Sequence, residues 1–348
     1  MNAQIALILG QDGVANGAIY ALLALCILLV FSVSRVLFIP QGEFVVYGAL
    51  CMAALQAGRA PAAVWLLAAF AVAGCIADAM ARRAQGKRLV TGSGTLKLAY
   101  PFALAALLYS LPLAALPMWL QALLTLAVVV PLGPQLWRLF YQPIAAAPTL
   151  ILLIVSIALH LAMVGMGLLM FGPEGARTTP FNDTQFALGA ANISAQTLWI
   201  VAASALLIAA LYRFFGHTVY GKALRATALN RTGARLCGIS PRLAGRTVFF
   251  LAALIGACSG ILIGPATTLY YDSGFLISLK GFVGAIIGGL TSYPLAAAGA
   301  MLVGLLEAYA SFWASAYKEI IVFTLIIPVL IWRSMRAPRL DDDEEDPA

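Results

Sequence analysis

The residues that could do chemistry in this chain are few, because most ionisable side chains lie between its apolar runs. Five lie inside or at the ends of those runs: Arg35, Glu43, Asp78, Lys280 and Glu307. If such a run crosses a membrane, a charge at its centre costs about 2.5–3.5 kcal/mol on insertion scales. We therefore expect each of these residues to have a paired charge or to border a water-filled path. Arg35, eight residues before Glu43, could neutralise it, and Asp78 is expected to pair with Arg82, four residues later.

Metal and nucleotide chemistry are not predicted. His160 and His217 are the two histidines, too few for a histidine metal site, and the five cysteines form no Cys-x-x-Cys pair. Residues 216–222 match the phosphate-binding loop pattern as far as its lysine, but Ala223 follows where a Mg²⁺ ligand needs Ser or Thr. No Ser/His arrangement stands out within the apolar runs, so we expect no enzyme, no metal and no cofactor in this chain.

Composition places these residues in a membrane protein. Of the 348 residues 62% are hydrophobic and 10% are charged, whereas a soluble domain carries about 25% charged residues. A membrane-crossing helix needs about 20 apolar residues, and some of the eleven candidate runs are short enough to be half-helices. They lie at 13–34, 42–57, 61–80, 99–112, 118–137, 149–171, 196–215, 248–270, 280–291, 295–314 and 319–333. We predict an all-α polytopic membrane protein, a compact helical bundle with broken or half helices.

Basic residues predict the orientation of the bundle. Most of the 21 Lys and Arg residues lie in the gaps at 81–98 and 216–247 and after residue 332. Cytoplasmic loops carry an excess of Lys and Arg, so these gaps are predicted to be cytoplasmic, and the nearly neutral gap at 172–195 to be outside. An odd number of crossings, with the C-terminus in the cytoplasm, satisfies every gap. The bilayer thus accounts for the net charge of +7 without nucleic acid.

Residues 1–340 are read as one transmembrane domain, and the acidic residues 341–348 as a disordered tail. Within that domain the gap at 216–247 is the longest polar stretch. Its part 220–236 has helical composition, and Gly238 followed by Pro241 is a stop signal. Such a basic helix could bind anionic lipid or dock on a cytoplasmic partner. Its many small residues favour docking, since a lipid-binding helix shows large apolar residues on one face.

Glycine and proline mark close packing and helix breaks. Glycines recur every four residues from Gly256 to Gly264 and again at Gly284 and Gly288, which lets membrane helices approach closely. Helices should break before Glu43 and after Gly288, and broken helices at membrane depth line protein or water. The predicted pathway residues, which include a Lys280–Glu307 pair, are Asn16, Tyr20, Gln41, Gly42, Glu43, Lys280, Gly288, Gly289 and Glu307.

Two segments resemble the permease subunits of ABC importers of the branched-chain amino acid type. One is GKALRATALNRTGARLCGI at 221–239, and the other is LKGFVGAIIGGLTSYPLAAAGAMLVGLLEA at 279–308. Weaker likeness at 16–43 and 138–143 extends the resemblance over about 13–80 and 138–335. Residues 84–137 have no counterpart and are read as an inserted hairpin of two spans.

The resemblance implies a non-catalytic subunit of a bacterial inner membrane importer that works by alternating access. Its partners would be cytoplasmic ATP-binding subunits, a second permease (identical or related), a periplasmic solute-binding protein and membrane lipid. The residues matched to the family's coupling helix are Gly221, Arg225, Ala226, Asn230, Ala234, Leu236 and Gly238. On this basis Arg225→Glu should abolish substrate-stimulated ATPase activity and leave membrane insertion intact.

Two departures bear on the substrate. The family commonly has Asn-Phe-Ala-His before its Gly-Glu pair, whereas this chain has Phe38-Ile-Pro-Gln before Gly42-Glu43, and the segment at 84–137 is extra. Aliphatic amino acids follow from the resemblance, while urea or short amides stay open. An ion-gradient-driven secondary carrier is the alternative, and such a carrier would need no ATPase docking element.

Overall fold

The computed structural model describes residues 3–84, 92–182, 184–188, 191–290 and 292–336. The predicted acidic tail at 341–348 lies outside the described residues, as do the basic residues Lys87 and Arg88. The first seven helices are α1 (Ala3–Ser34), α2 (Gln41–Gln56), α3 (Ala63–Ala84), α4 (Gly92–Ser110), α5 (Met118–Val129), α6 (Leu132–Leu136) and α7 (Thr149–Phe171).

A two-stranded antiparallel sheet, β1 (Gln185–Leu188) and β2 (Ala191–Ser194), follows α7 in the gap that the sequence predicts to be outside. The remaining helices are α8 (Ala195–His217), α9 (Val219–Leu229), α10 (Arg231–Leu236), α11 (Pro241–Ile263), α12 (Gly274–Ile287), α13 (Tyr293–Trp313), α14 (Lys318–Thr324) and α15 (Ile326–Arg336).

Eight helical stretches in the described part of the chain are long and apolar enough to cross a membrane. They confirm the polytopic all-α prediction and coincide with eight of the eleven predicted runs. The other three runs fall on helices too short for a full crossing: α2, with 16 residues, and the apolar stretches Leu98–Ser110 and Gly274–Ile287. Short apolar helices are therefore present at two of the shortest predicted runs, 99–112 and 280–291, whereas the short run at 319–333 lies in an 18-residue stretch that is long enough to cross.

The long helix α1 forms the centre of the bundle. It has 32 residues, about 48 Å at 1.5 Å per residue, and it packs against α8, α11, α12 and α13. Helix α13 runs antiparallel to it, since Tyr309 bonds to the carbonyl of Ala6 near one end and Gly17 faces Met301 farther along. The N-terminal end of α1 thus lies beside the C-terminal end of α13, and the C-terminal half of α1 runs toward the start of α13.

Close helix contacts occur where the glycines predicted them. A Cβ atom added to Gly260 of α11 would lie 2.0 Å from the carbonyl oxygen of Val45 in α2. One added to Gly284 of α12 would lie 2.8 Å from the Cα of Ala300 in α13. Because lipid provides no hydrophobic drive for helices to associate, this backbone-to-backbone packing holds the bundle together.

The segment at 84–137 contributes α4, α5 and α6. Helix α4 packs on α3, and α5 packs on α2. The two are linked where the Tyr100 hydroxyl donates to the carbonyl of Ala127, at 2.8 Å. That this segment is an insertion stays a prediction.

Candidate functional site

A polar cavity of about 440 Å³ lies among α1, α12 and α13. From α1 it receives side chains between Leu9 and Tyr20, which belong to the half of the helix nearer its N-terminus. Lys280 of α12 and Glu307 of α13 border the same space. Four of the predicted pathway residues, Asn16, Tyr20, Lys280 and Glu307, are therefore brought together.

Lys280, Glu307, Glu319 and Tyr20 form what we term the Lys280 cluster. Lys280 Nζ donates to Glu307 Oε1 at 2.5 Å, and the Tyr20 hydroxyl donates to Glu307 Oε2 at 2.7 Å. Both oxygens of the Glu307 carboxylate are thus bonded, which a buried charge requires. The predicted Lys280–Glu307 pair is present, and its role in transport stays a prediction.

Glu319 of α14 is a second carboxylate on Lys280 that the sequence did not suggest. Its Oε1 lies 3.2 Å from Lys280 Nζ, and the Nζ atom lies 5.8 Å from the centre of the Tyr20 ring. Asp12 and Lys318 also border the cavity. The cavity is therefore lined by side chains of both signs of charge.

Lys280 lies in the middle of its helix, not at its start. Residues 280–291 were predicted as the short segment, but α12 begins six residues earlier at Gly274 and ends at Ile287. The predicted break after it is present, because Gly288 caps the helix and Gly289 has a φ of +68°. Neither glycine is among the residues that line the polar cavity.

Gln41, Gly42 and Glu43 lie elsewhere, in what we term the Glu43 cluster together with His160. Residues 35–40 are non-helical, as predicted, and α2 then starts within the protein. Gln41 Nε2 donates to the carbonyl of Ala252 at 3.0 Å. A Cβ on Gly42 would lie 1.8 Å from the carbonyl oxygen of Gly274. The start of α2, just after the non-helical stretch, is therefore packed tightly against α11 and α12.

The partner of Glu43 is His160 of α7, with Nδ1 and Oε1 3.1 Å apart. Their alignment falls short of a linear hydrogen bond, and among the described residues Glu43 Oε2 has no hydrogen-bond partner. The sequence suggested that Arg35 could neutralise Glu43, which is wrong. Arg35 is exposed with a φ of +60°, whereas the Glu43 side chain is fully buried.

An apolar cavity of about 320 Å³ lies near the Glu43 cluster. Its walls include Phe38, Ile39 and Phe275, and the Phe275 ring centre lies 5.1 Å from that of His160. This space borders the non-helical stretch between α1 and α2. These two cavities, one polar and one apolar, lie on different sides of α12.

The basic loop forms two helices instead of the single one predicted over 220–236. Helix α9 ends at Leu229, and Asn230 caps α10 by accepting a hydrogen bond from the backbone of Gly233 at 2.8 Å. Thr218 caps α9 in the same way through Gly221, at 3.0 Å. The predicted stop is present, with Gly238 at a φ of +80°.

Several of the residues matched to the coupling helix hold this loop in shape. A Cβ on Gly221 would lie 2.2 Å from the carbonyl oxygen of Phe214, and Ala234 is buried. Arg225 donates to the carbonyl of Phe215, and Ala226 is half-buried. Leu236 was expected in a weak apolar stripe with the buried residues, but it is exposed.

The outer face of the loop is apolar and basic. Leu229 and Leu236 are 87% and 85% exposed, and Lys222 and Arg235 of the same loop are exposed as well. We term these four residues the docking face. Large apolar side chains on a polar loop are typical of a surface that binds another protein.

Arg231 ties this loop to the end of α1. Its guanidinium donates to the carbonyls of Ala145 and Ser34 at 3.2 and 3.3 Å. Burial, with Arg235 and Arg35 nearby, lowers the pKa of Arg231 below its usual range. The docking face and the polar cavity therefore lie toward opposite ends of α1.

Comparison with known families decides what kind of protein this is. A family described as branched-chain amino acid transport system / permease component matches residues 11–330. The chain belongs to that family.

Named relatives agree with this assignment. The permease is 30% identical over 208 residues to the high-affinity branched-chain amino acid transport system permease protein LivH of Escherichia coli K12, covering 57% of this chain and 67% of the relative. It is 26% identical over 241 residues to the protein BraD, of the same description, from Pseudomonas aeruginosa, covering 67% and 78%. No solved structure matches it. These relatives are transport permeases and not enzymes.

Other charged and sulfur-bearing residues of the permease serve packing in the described part of the chain. Asp78 of α3 pairs with Arg138 beyond α6, which also donates to the carbonyl of Gly74 at 2.7 Å. The Arg82 side chain, the expected partner of Asp78, lies outside the described residues. No disulfide joins the cysteines that the structure describes.

Proposed function

We propose that this permease moves branched-chain or related aliphatic amino acids inward by alternating access, driven by ATPase subunits that bind its docking face. The observation that carries the proposal is the arrangement along α1. A cavity with both signs of charge lies beside one half of this helix, and the basic docking face is tied to Ser34 at its other end. A buried helix of this length can link events at the two ends.

The cavity suits a zwitterion better than a neutral amide. It offers an ammonium at Lys280 and carboxylates at Asp12 and Glu307, and charges of both signs attract a ligand that carries both. Urea carries no charge and therefore gains less from charged side chains of both signs. We therefore expect amino acids to be preferred over urea or short amides.

The orientation that we propose has the docking face in the cytoplasm and the polar cavity toward the outside. The three basic gaps support it through the excess of Lys and Arg in cytoplasmic loops. Arg231 brings residues from the gaps after α1, α6 and α8 together at one end of the bundle. With this orientation a periplasmic binding protein would deliver ligand at the cavity end, in an inner membrane importer whose C-terminus is cytoplasmic.

The test is uptake of radiolabelled leucine into proteoliposomes that hold the permease with its ATPase subunits and binding protein. We expect uptake that requires ATP and continues when proton and sodium gradients are collapsed. Valine and isoleucine should compete, and urea should not. Uptake that follows an ion gradient without any ATPase subunit would instead show a secondary carrier.

A further inference from the structure

The Lys280 cluster contains one more carboxylate than Lys280 needs. Glu307 is bonded at both oxygens, by Lys280 Nζ at 2.5 Å and by Tyr20 at 2.7 Å. Glu319 makes a longer contact of 3.2 Å with the same Nζ atom. A single ammonium therefore faces two carboxylates, which leaves this group of side chains with a surplus negative charge.

The two carboxylates differ in how firmly they are held. The side chains of Lys280 and Glu307 are 7% and 11% exposed, whereas that of Glu319 is 34% exposed. The Glu319 Oε2 atom is itself buried and has no hydrogen-bond partner among the described residues. A partly exposed ion pair with one contact contributes little and exchanges readily with water, so Glu319 is the displaceable partner and Glu307 the permanent one.

Glu319 also lies on an element that can move without opening the core. Helix α14 has seven residues, and only Val322 in it is buried. The stretch from Ser315 to Trp332 is the least buried of the membrane-crossing candidates in the described part of the chain. Lys318, the neighbour of Glu319, borders the polar cavity.

We propose that Lys280 is a binding site for a ligand carboxylate, and that Glu319 occupies this site as an internal substitute when the cavity is empty. The proposal rests on the proposed function, because it takes the cargo to carry a carboxylate. An arriving carboxylate replaces Glu319 on Lys280 Nζ, so the number of charges around Lys280 stays the same. Glu319 then turns to water, which frees α14 from α12 and couples loading of the cavity to movement of the last span.

The experiment measures ligand binding to the purified, assembled importer by calorimetry, without ATP or binding protein. In Glu319→Gln the internal competitor is gone and the side chain keeps its size. Leucine should then bind about fivefold more tightly, the equivalent of losing one weak ion pair. Leucinamide, which lacks the carboxylate, should bind the variant and the wild type equally.

The controls separate competition from structural support. Glu319→Asp restores a carboxylate and should return the leucine affinity toward that of the wild type, and Glu174→Gln, in an exposed loop, should change nothing. An unchanged or weaker leucine affinity in Glu319→Gln overturns the proposal, as does an equal shift for leucinamide. If leucine affinity is unchanged in Glu319→Gln and this variant still imports leucine with ATP, the inference falls while the proposed function stands. If the wild type imports no leucine, the proposed function itself fails.

Discussion

The permease has two buried charged clusters, and they are built differently. In the Lys280 cluster both oxygens of Glu307 are bonded, and the group borders a polar cavity. In the Glu43 cluster the carboxylate meets His160 with poor alignment and is fully buried. On the function that we propose, the first cluster serves a ligand space, whereas the second closes the break between α1 and α2.

The largest effect is expected from Lys280→Met. Glu307 would keep its tyrosine but lose its ammonium, and an uncompensated buried charge costs about 3–5 kcal/mol. We expect loss of leucine uptake and a lower midpoint of thermal unfolding in detergent. Lys318→Met, which changes a lysine bordering the same cavity, is the matched control and should keep the unfolding midpoint.

The double variant Lys280→Met/Glu307→Gln sharpens this test. Removing both charges should restore much of the stability, because Glu319, the carboxylate left without its lysine, is partly exposed to water, while uptake stays lost. Recovery of uptake in the double variant would show that the pair is only structural. The Lys280 cluster would then be structural, like the Glu43 cluster, and the proposed difference between the two would not hold.

An intermediate effect is expected at the Glu43 cluster. His160→Phe removes the polar side chain that Glu43 contacts and should lower stability by about 1–3 kcal/mol. Glu43→Gln replaces an incompletely bonded charge with a neutral amide and should keep the unfolding midpoint. Uptake should fall less than tenfold, about 1.4 kcal/mol. If Glu43→Gln abolished uptake in a folded protein, Glu43 would belong to the transport pathway after all.

The smallest effect is expected from Asn230→Ala at the start of α10. Loss of a helix cap costs about 1 kcal/mol, here confined to the loop that carries the docking face. Substrate-stimulated ATPase activity should fall partially, and Asn230→Ser, which keeps a capping oxygen, should retain it. Equal activity in the Ala and Ser variants would mean that the shape of the loop does not limit coupling.

The sequence predicted most of the fold because apolar runs and glycine spacing act locally. The break before Glu43 and the one after Gly288 follow from residues within a few positions of each other. The start of α12 was placed too late because Lys280 was taken as its boundary, although a paired lysine is tolerated inside a buried helix. The division at Asn230 carried a signal, since asparagine is a strong capping residue.

The partner of Glu43 and the second carboxylate on Lys280 could not be predicted, because they come from helices far apart in the chain. By contrast, Lys280 and Glu307 are 27 residues apart and on adjacent helices, so the sequence could suggest that they pair. His160 is a single histidine in an apolar run, and nothing in its neighbourhood points to Glu43. In the sequence Glu319 lies next to Lys318. That neighbour suggests two solvent-exposed side chains of opposite charge, and it gives no sign that Glu319 contacts α12.

The proposed function depends most on ATPase subunits binding at the docking face. The most direct measurement is substrate-stimulated ATPase activity of the reconstituted importer carrying Leu229→Asp or Leu236→Asp, with Thr232→Asp as an exposed control on α10. These leucines are better probes than Arg225, which bonds within the permease. We predict loss of the stimulated activity in both leucine variants, normal membrane insertion, and full activity in the control. Full stimulation in both leucine variants would contradict the account.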